Sequence, residues 1–209
     1  MFTGIIQHQG IISRINPQAD GHVQLWIASP RPAGDIPLGA SIACDGICLT
    51  VEAVEDKKGG VHHQSEFQVT ASQETVARTM IGNWKKGKTV NLEGSLQLGD
   101  ELGGHLVFGH VDAILTLLTK KPVGQSSEFC FELPQDLAGL VVEKGSITLN
   151  GVSLTVNHIG KTDFSVTLIP HSLTHTNFHL LQIGDKVNVE ADMLARYVLR
   201  QTQLAATST

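Results

Sequence analysis

Residues 38–51 read LGASIACDGICLTV, and residues 143–156 read EKGSITLNGVSLTV. Aligning the two puts Gly46 on Gly151, an offset of 105 (151 − 46), and the same offset puts Gly4 on Gly109 (109 − 4). A 209-residue chain with that period is a duplicated domain, each half near the usual domain size and long enough to bury a small core. Asp45-Gly46 and Asn150-Gly151 each lie between two strand-like runs, and such dipeptides accept the positive φ angles of a tight hairpin turn. The most similar segment of the repeat is therefore a β-hairpin, with CLTV or SLTV on its second strand.

Outward from the hairpin, short runs rich in Ile, Val and Thr are punctuated by Gly, Asp and Asn, which is strand periodicity. Strands are expected near 4–14, 22–28, 41–44, 47–54, 66–71 and 88–93, and again near 109–118, 127–133, 146–149, 152–158, 163–168 and 186–190. About six short strands per half suggest a small barrel or sandwich. Short helices are expected at 74–80 and 172–176. Val90-Asn91-Leu92-Glu93 matches Val187-Asn188-Val189-Glu190 at an offset of 97 (188 − 91), and the eight-residue change falls around the polar stretch DKKGGVHHQ. There a hairpin loop can lengthen without disturbing a core. Asp192 is placed to cap MLARYVLRQTQL, whose Leu194, Tyr197 and Val198 make an apolar stripe with no counterpart in the first half. That stripe packs either on its own domain or on other subunits.

A hydrophobic content of 41% with 17% charged residues is ordinary for a globular protein. The net charge of −5, without a basic run, argues against a nucleic-acid partner. No stretch reaches the roughly 18 apolar residues that span a bilayer, and MFTGIIQHQG lacks the charged start and cleavage site of a signal peptide, so a cytoplasmic location without membrane contact is expected. Cys44, Cys48 and Cys130 are odd in number and form no CxxC pair. Neither a disulfide scaffold nor a zinc site is expected.

Few residues stand out as chemical. GGHLVFGHVD, residues 103–112, places His105 and His110 in a Gly-rich stretch at the junction of the halves. Glycines permit close approach of backbone to a ligand, and imidazole moves protons near neutral pH. The bland alternative is a turn with two solvated or core histidines. Cys48 corresponds to Ser153 (153 − 48 = 105), and Thr50 to Thr155. A lone Cys is usually a small buried hydrophobe, but the shared polar character suggests ligand contact, and the difference suggests that one of two similar sites does chemistry. Lys144, Asn150 and Asp192 are further candidates, with surface, turn and cap as their ordinary explanations.

MFTGII at the start, GICLTV, GGHLVFGHVD, KGSITLNGVSLTV and the ending VNVEADMLARY together resemble riboflavin synthase of the α-chain type, in order, over residues 1 to about 200. The resemblance implies an all-β fold of two tandem six-stranded Greek-key β-barrels (residues 1–105 and 106–192), with a C-terminal α-helix and tail (193–209) that helps hold a homotrimer. It implies a dismutation in which two molecules of 6,7-dimethyl-8-ribityllumazine exchange a four-carbon unit, giving riboflavin and a ribitylamino-pyrimidinedione, with no metal or cofactor. Each barrel would bind one lumazine, and the working site would form where the N-terminal barrel of one subunit faces the C-terminal barrel of a neighbour. Carried onto this chain, the N-terminal site would use Gly4, Ile5 and Ile6, then Cys48, Leu49 and Thr50, and Thr70, Ala71, Ser72, Gln73, Glu74 and Thr75. The C-terminal site would use Gly109, His110 and Val111, then Lys144, then Ser153, Leu154 and Thr155, and Leu168, Ile169, Pro170, His171, Ser172 and Leu173. Backbone amides would read the flat ring and hydroxyls would reach the ribityl chain. His105 is expected to transfer or orient protons, and Cys48 to lie near the nucleophilic step.

Two other classes compete. The same family contains non-catalytic lumazine- or flavin-binding antenna proteins, in which a degraded GGH and a damaged second SLTV are expected. This chain keeps His105, Cys48 and both LTV strands, which favours catalysis. A flavin-dependent reductase on a related barrel would need a nucleotide-binding βαβ unit with a Gly-rich turn, and none follows the repeats.

Overall fold

Alternation of buried and solvent-facing side chains builds each strand, most cleanly in Ser65–Ala71, where every second residue from Ser65 is buried. The computed structural model describes residues 1–57 and 64–207. Its first half contains β1 (His8–Pro17), β2 (Val23–Ser29), β3 (Ser41–Cys44), β4 (Ile47–Asp56), β5 (Ser65–Ala71) and β6 (Thr89–Gly94), closed into a barrel in the order β1-β2-β5-β4-β3-β6. The second half contains β7 (Ala113–Val123), β8 (Ser126–Glu132), β9 (Ser146–Leu149), β10 (Val152–Ile159), β11 (Asp163–Leu168) and β12 (Lys186–Ala191), closed in the corresponding order β7-β8-β11-β10-β9-β12. All pairings are antiparallel, as a Greek-key barrel requires. Closure removes the open strand edges that would otherwise invite aggregation.

The duplication extends to irregularities. Register shifts fall between Ile12 and Arg14 and between Leu117 and Thr119, and again between Val51 and Ala53 and between Val156 and His158. These bulges bend long strands around the barrel wall at equivalent places. Each barrel has its own core. Ile12, Leu25, Ile27, Val51, Phe67 and Val69 are buried in the first; Leu117, Phe129, Phe131, Val156, Phe164 and Val166 are buried in the second.

The hairpin turns form as the sequence demands: Asp45 and Gly46 have φ of 46° and 76°, and Asn150 and Gly151 have 45° and 80°. Helices α1 (Gln73–Arg78) and α3 (Pro170–His175) lie where helical stretches are expected, each followed by a 3-10 turn. A further short helix, α2 (Gln135–Ala138), enters after Pro134 and is not anticipated by the periodicity. Helix α4 (Met193–Thr207) starts from Asp192, whose Oδ1 accepts from the Leu194 N–H at 2.9 Å. The Arg196 guanidinium pairs with Asp112. Ala195 and Leu199 pack on the second core, while Leu194, Tyr197 and Val198 are 64–68% exposed. Of the polar loop at 56–64, residues 58–63 lie outside the described residues.

One difference from expectation decides the architecture. Strands β1 and β7 begin at His8 and Ala113, four residues later than the apolar pattern suggests. Residues 4–6 and 109–111 run off the sheets of their own barrels, which the Gln7 and Asp112 N–H groups rejoin by donating to the Leu92 and Val189 carbonyls, and the carbonyls of the two glycines meet the opposite barrel.

Candidate functional site

The segments that open the two halves cross over. Phe2 and Val107 pair by reciprocal backbone hydrogen bonds of 2.7 and 3.1 Å, and the His105 N–H donates to the Thr3 carbonyl at 3.1 Å. From this small ribbon each segment runs to the opposite barrel. The Ser153 N–H donates to the Gly4 carbonyl at 2.8 Å, and the Cys48 N–H donates to the Gly109 carbonyl at 3.0 Å. Ile6 then packs on the second core and Val111 on the first. The expected grouping is thus exchanged: residues 4–6 accompany Ser153, and residues 109–111 accompany Cys48. Glycine is required at both crossings. Gly4 and Gly109 have φ of 77° and 75°, and a Cβ on them would stand 2.5 Å from the Ser153 Cβ and 2.6 Å from the Cys48 Cβ.

The barrels meet turn to turn about an approximate two-fold axis. A Cβ on Gly46 would come within 2.7 Å of the Gly151 nitrogen, and one on Gly151 within 2.8 Å of the Gly46 nitrogen. The Asn of the repeated VNLE and VNVE segments ties each barrel to the other's turn: Asn91 Nδ2 donates to the Asn150 carbonyl and Asn188 Nδ2 to the Asp45 carbonyl, both at 2.9 Å. The Asp45 carboxylate accepts from the Asn91 N–H at 2.7 Å and from Asn177 Nδ2 at 2.8 Å, with Lys88 Nζ 3.5 Å from its second oxygen. Burial, only partly offset by Lys88 and these donors, pushes the Asp45 carboxyl up to about 6.

At the first crossing lies a cleft of about 400 Å³ lined by Cys48, Glu74, Thr75, Arg78, His110 and Asp112 among others. That volume lies in the range of small-molecule sites. Beneath it Phe2, Ala43 and Val107 form a buried apolar cluster against which Cys48 packs. Leu49 is buried in the first core, and Thr50 faces outward. Thr70 donates to Glu52 at 2.7 Å, and Ala71 ends β5 in the core. Ser72 caps α1, its Oγ accepting from the Thr75 N–H at 3.2 Å, and Gln73 donates to the Asp20 carbonyl. Glu74 pairs with Arg78 at 2.8 Å.

At the second crossing the side chains around Ser153 are polar. His105 Nδ1 is 2.7 Å from Ser153 Oγ, and its Nε2 is 3.1 Å from Thr148 Oγ1. Thr148 stands where the first half has Ala43 (148 − 43 = 105), so the repeat does not mark it. His105 is 9% exposed, and burial holds its pKa below the usual imidazole value despite the nearby Asp192 charge. The neutral ring can accept the Ser153 hydroxyl proton at one nitrogen while donating to Thr148 from the other. His105 thus bonds to Ser153 and Thr148 of the second barrel, while it is the Gly109 carbonyl that meets the Cys48 N–H. Leu154 and Leu168 are buried in the second core, Leu173 packs against it, and Thr155 faces outward. Pro170 opens α3, Ile169 is exposed, and Ser172 accepts from the Thr176 hydroxyl at 2.7 Å. His171 stacks on His175 at 4.0 Å, where α1 has the Glu74–Arg78 pair. Lys144 holds φ = 64° where the first half has Gly39 (144 − 39 = 105) at 79°. A left-handed non-glycine residue is uncommon and draws attention to that side chain. Among the described residues no group of three or more His, Cys, Asp or Glu is arranged to hold a metal ion, and no helix is long and apolar enough to cross a membrane.

The sequence matches the Lumazine binding domain family twice, over residues 3–95 and 108–192. It is 45% identical to riboflavin synthase of Brucella abortus (strain 2308), over 97% of this chain and 98% of that one. It is 36% identical to riboflavin synthase of Photobacterium phosphoreum, over 96% and 88%. Among solved structures, LumP complexed with riboflavin superimposes with a TM-score of 0.78 at 25% identity, over 91% of this chain and 99% of that one. LumP complexed with 6,7-dimethyl-8-(1'-D-ribityl) lumazine shares the fold with the same TM-score at 23% identity, again over 91% and 99%. With two family matches that fall on the two barrels and near-full-length identity to named enzymes, the chain belongs to the riboflavin synthase family, built from two lumazine binding domains.

Proposed function

We propose that the protein is a riboflavin synthase that converts two molecules of 6,7-dimethyl-8-ribityllumazine into riboflavin and 5-amino-6-(D-ribitylamino)uracil by four-carbon transfer, a transferase reaction. The observation that carries this reading is the pair of like sites at the crossings, one floored by Cys48 and apolar side chains and the other by Ser153, His105 and Thr148. A dismutation takes two identical molecules to different fates, so it needs two similar but unequal sites. The 45% identity to a riboflavin synthase over nearly the whole chain supports the same reading.

The residues carried over from the resemblance divide between the two sites according to the crossing. One lumazine is held by residues 48–50, 70–75 and 109–111, and the other by residues 4–6, 144, 153–155 and 168–173. In the second site His105, neutral and 2.7 Å from Ser153 Oγ, takes up or returns the protons that leave and rejoin the ring substituents. In the first site Cys48, half-buried and unpaired, lies beside the carbon under attack. Holding two flat rings face to face supplies much of the acceleration, because a bimolecular encounter becomes a positioned one.

The exposed stripe of Leu194, Tyr197 and Val198 suits a further subunit, and we assign α4 to a homotrimer in which the first barrel of one copy faces the second barrel of another. A cleft of about 490 Å³ between α4 and residues 139–146 is where such a contact would seat. Free cysteines suit a reducing, cytoplasmic setting. The antenna-protein alternative predicts binding without turnover. Incubating purified protein with the lumazine alone separates the two: riboflavin accumulates if it is an enzyme, and the lumazine is only bound if it is not.

A further inference from the structure

The Glu that ends each VNLE or VNVE segment carries out a task that barrel formation does not require. Glu93 lies on β6 of the first barrel. Its Oε1 accepts from the Thr3 N–H at 2.6 Å and the Thr3 hydroxyl at 2.7 Å, and its Oε2 accepts from the Gly4 N–H at 3.0 Å. Glu190 lies on β12 of the second barrel and accepts from the Phe108 N–H at 2.8 Å and the His110 N–H at 2.9 Å. Both are 3% exposed. Neither makes an ion pair among the described residues, so each buried carboxylate is held by amide and hydroxyl donors. Those amides belong to segments that have left their own sheets and would otherwise lack partners. Within the same segments the glycine carbonyls meet the other barrel, where Gly4 accepts from the Ser153 N–H and Gly109 from the Cys48 N–H.

Resting on the lumazine reading above, we infer that Glu93 and Glu190 are positioning residues that each shape the ligand site of the opposite barrel: Glu93 sets residues 3–5 against the Ser153 site, and Glu190 sets residues 108–110 against the Cys48 site. Neither Glu is assigned contact with the substrate. Each aims the glycine carbonyl, and the backbone beyond it, that completes a wall. The consequence is a crossed phenotype, which a carboxylate that only stabilised its own barrel would not give. The pairing also accounts for the repetition of the whole VNxE unit, since its Asn grips the opposite turn and its Glu the segment that crosses.

The test measures ligand protection of a thiol in each site of the full-length chain. Cys48 reports the first site. A Cys48→Ser, Ser153→Cys chain reports the second. Alkylation by iodoacetamide is followed residue by residue by mass spectrometry as 6,7-dimethyl-8-ribityllumazine is titrated. Glu190→Gln, which keeps the shape but replaces two charge-assisted bonds, is expected to raise the concentration for half-protection about tenfold in the first site and less than twofold in the second. Glu93→Gln is expected to do the reverse. Same-barrel effects, or equal effects on both sites, would overturn the inference. If a Gln variant does not fold, Glu93→Asp and Glu190→Asp, which withdraw the carboxylate by one methylene, are judged by the same crossed pattern. Lumazine protecting neither thiol in the two reporter chains that keep both Glu93 and Glu190 would overturn the lumazine reading itself, and the inference with it.

Discussion

Replacing Asp45 by asparagine, the residue that the second copy carries at the equivalent position 150, should stabilise the protein above pH 6 and do little at pH 4. Asp45 is 1% exposed between the barrels, and burial pushes its carboxyl up to about 6. In the unfolded chain the same group titrates near 3.9. The folded state therefore holds the proton more tightly, so between pH 4 and 6 the unfolded state has lost it while the folded state has not. Stability falls as pH rises through that window and levels off above it. Two pH units at about 1.4 kcal/mol each put the loss at about 3 kcal/mol. Asparagine has no charge to bury, and its Oδ1 can accept from the Asn91 N–H as Asn150 Oδ1 accepts from the Asn188 N–H at 2.9 Å. Lys88, 31% exposed, can turn to solvent. Urea unfolding of both proteins at pH 4 to 8, at one protein concentration so that assembly contributes equally, should show their stability difference moving by about 3 kcal/mol in favour of Asp45→Asn as pH rises. A difference independent of pH, or one moving the other way, would refute the assignment of a strained buried carboxylate to the barrel junction.

His105→Ala should lower turnover by roughly 10²-fold or more while changing lumazine affinity only a few-fold, as a proton-transfer group does. Unchanged turnover in a stopped assay would remove His105 from the chemistry. In the parent enzyme the acid limb of turnover should lie below the ordinary imidazole range, because burial keeps His105 neutral there. Removing residues 193–209 should reduce the sedimentation mass from that of the proposed trimer towards monomer, since the exposed stripe of Leu194, Tyr197 and Val198 goes with them. An unchanged mass would place the subunit contact elsewhere.

The duplicated barrels were legible because their marks are local. Asp45-Gly46 and Asn150-Gly151 demand a turn, and the alternation in stretches such as SEFQVTA demands a strand with one buried face. The crossing was not legible for the reason the duplication was. Two barrels of the same strand order offer each apolar segment two equivalent partners, and a pattern of period two does not say which is taken. Gly4 and Gly109 were visible, yet their positive φ and close contacts appear only when Ser153 and Cys48 are seen against them. Of the proposed site residues, His105 was recognised by its Gly-rich setting, but its partner is set by a contact 48 residues away in sequence. Thr148 is not legible because its counterpart is Ala43, and a repeat marks only what the two copies share. Glu93 and Glu190 did carry a signal, an acidic residue repeated at the end of an apolar strand. Its meaning lies in amides that no single-barrel pattern leaves unpaired.

Two like but unequal sites serve the proposed dismutation. The measurement that reaches it most directly is the stoichiometry of the reaction. Purified protein and 6,7-dimethyl-8-ribityllumazine are mixed without added cofactor, and substrate and both products are quantified in quenched samples. Two lumazines consumed for each riboflavin formed, with an equal amount of 5-amino-6-(D-ribitylamino)uracil, is the predicted result. Lumazine that is bound and recovered unchanged would contradict it.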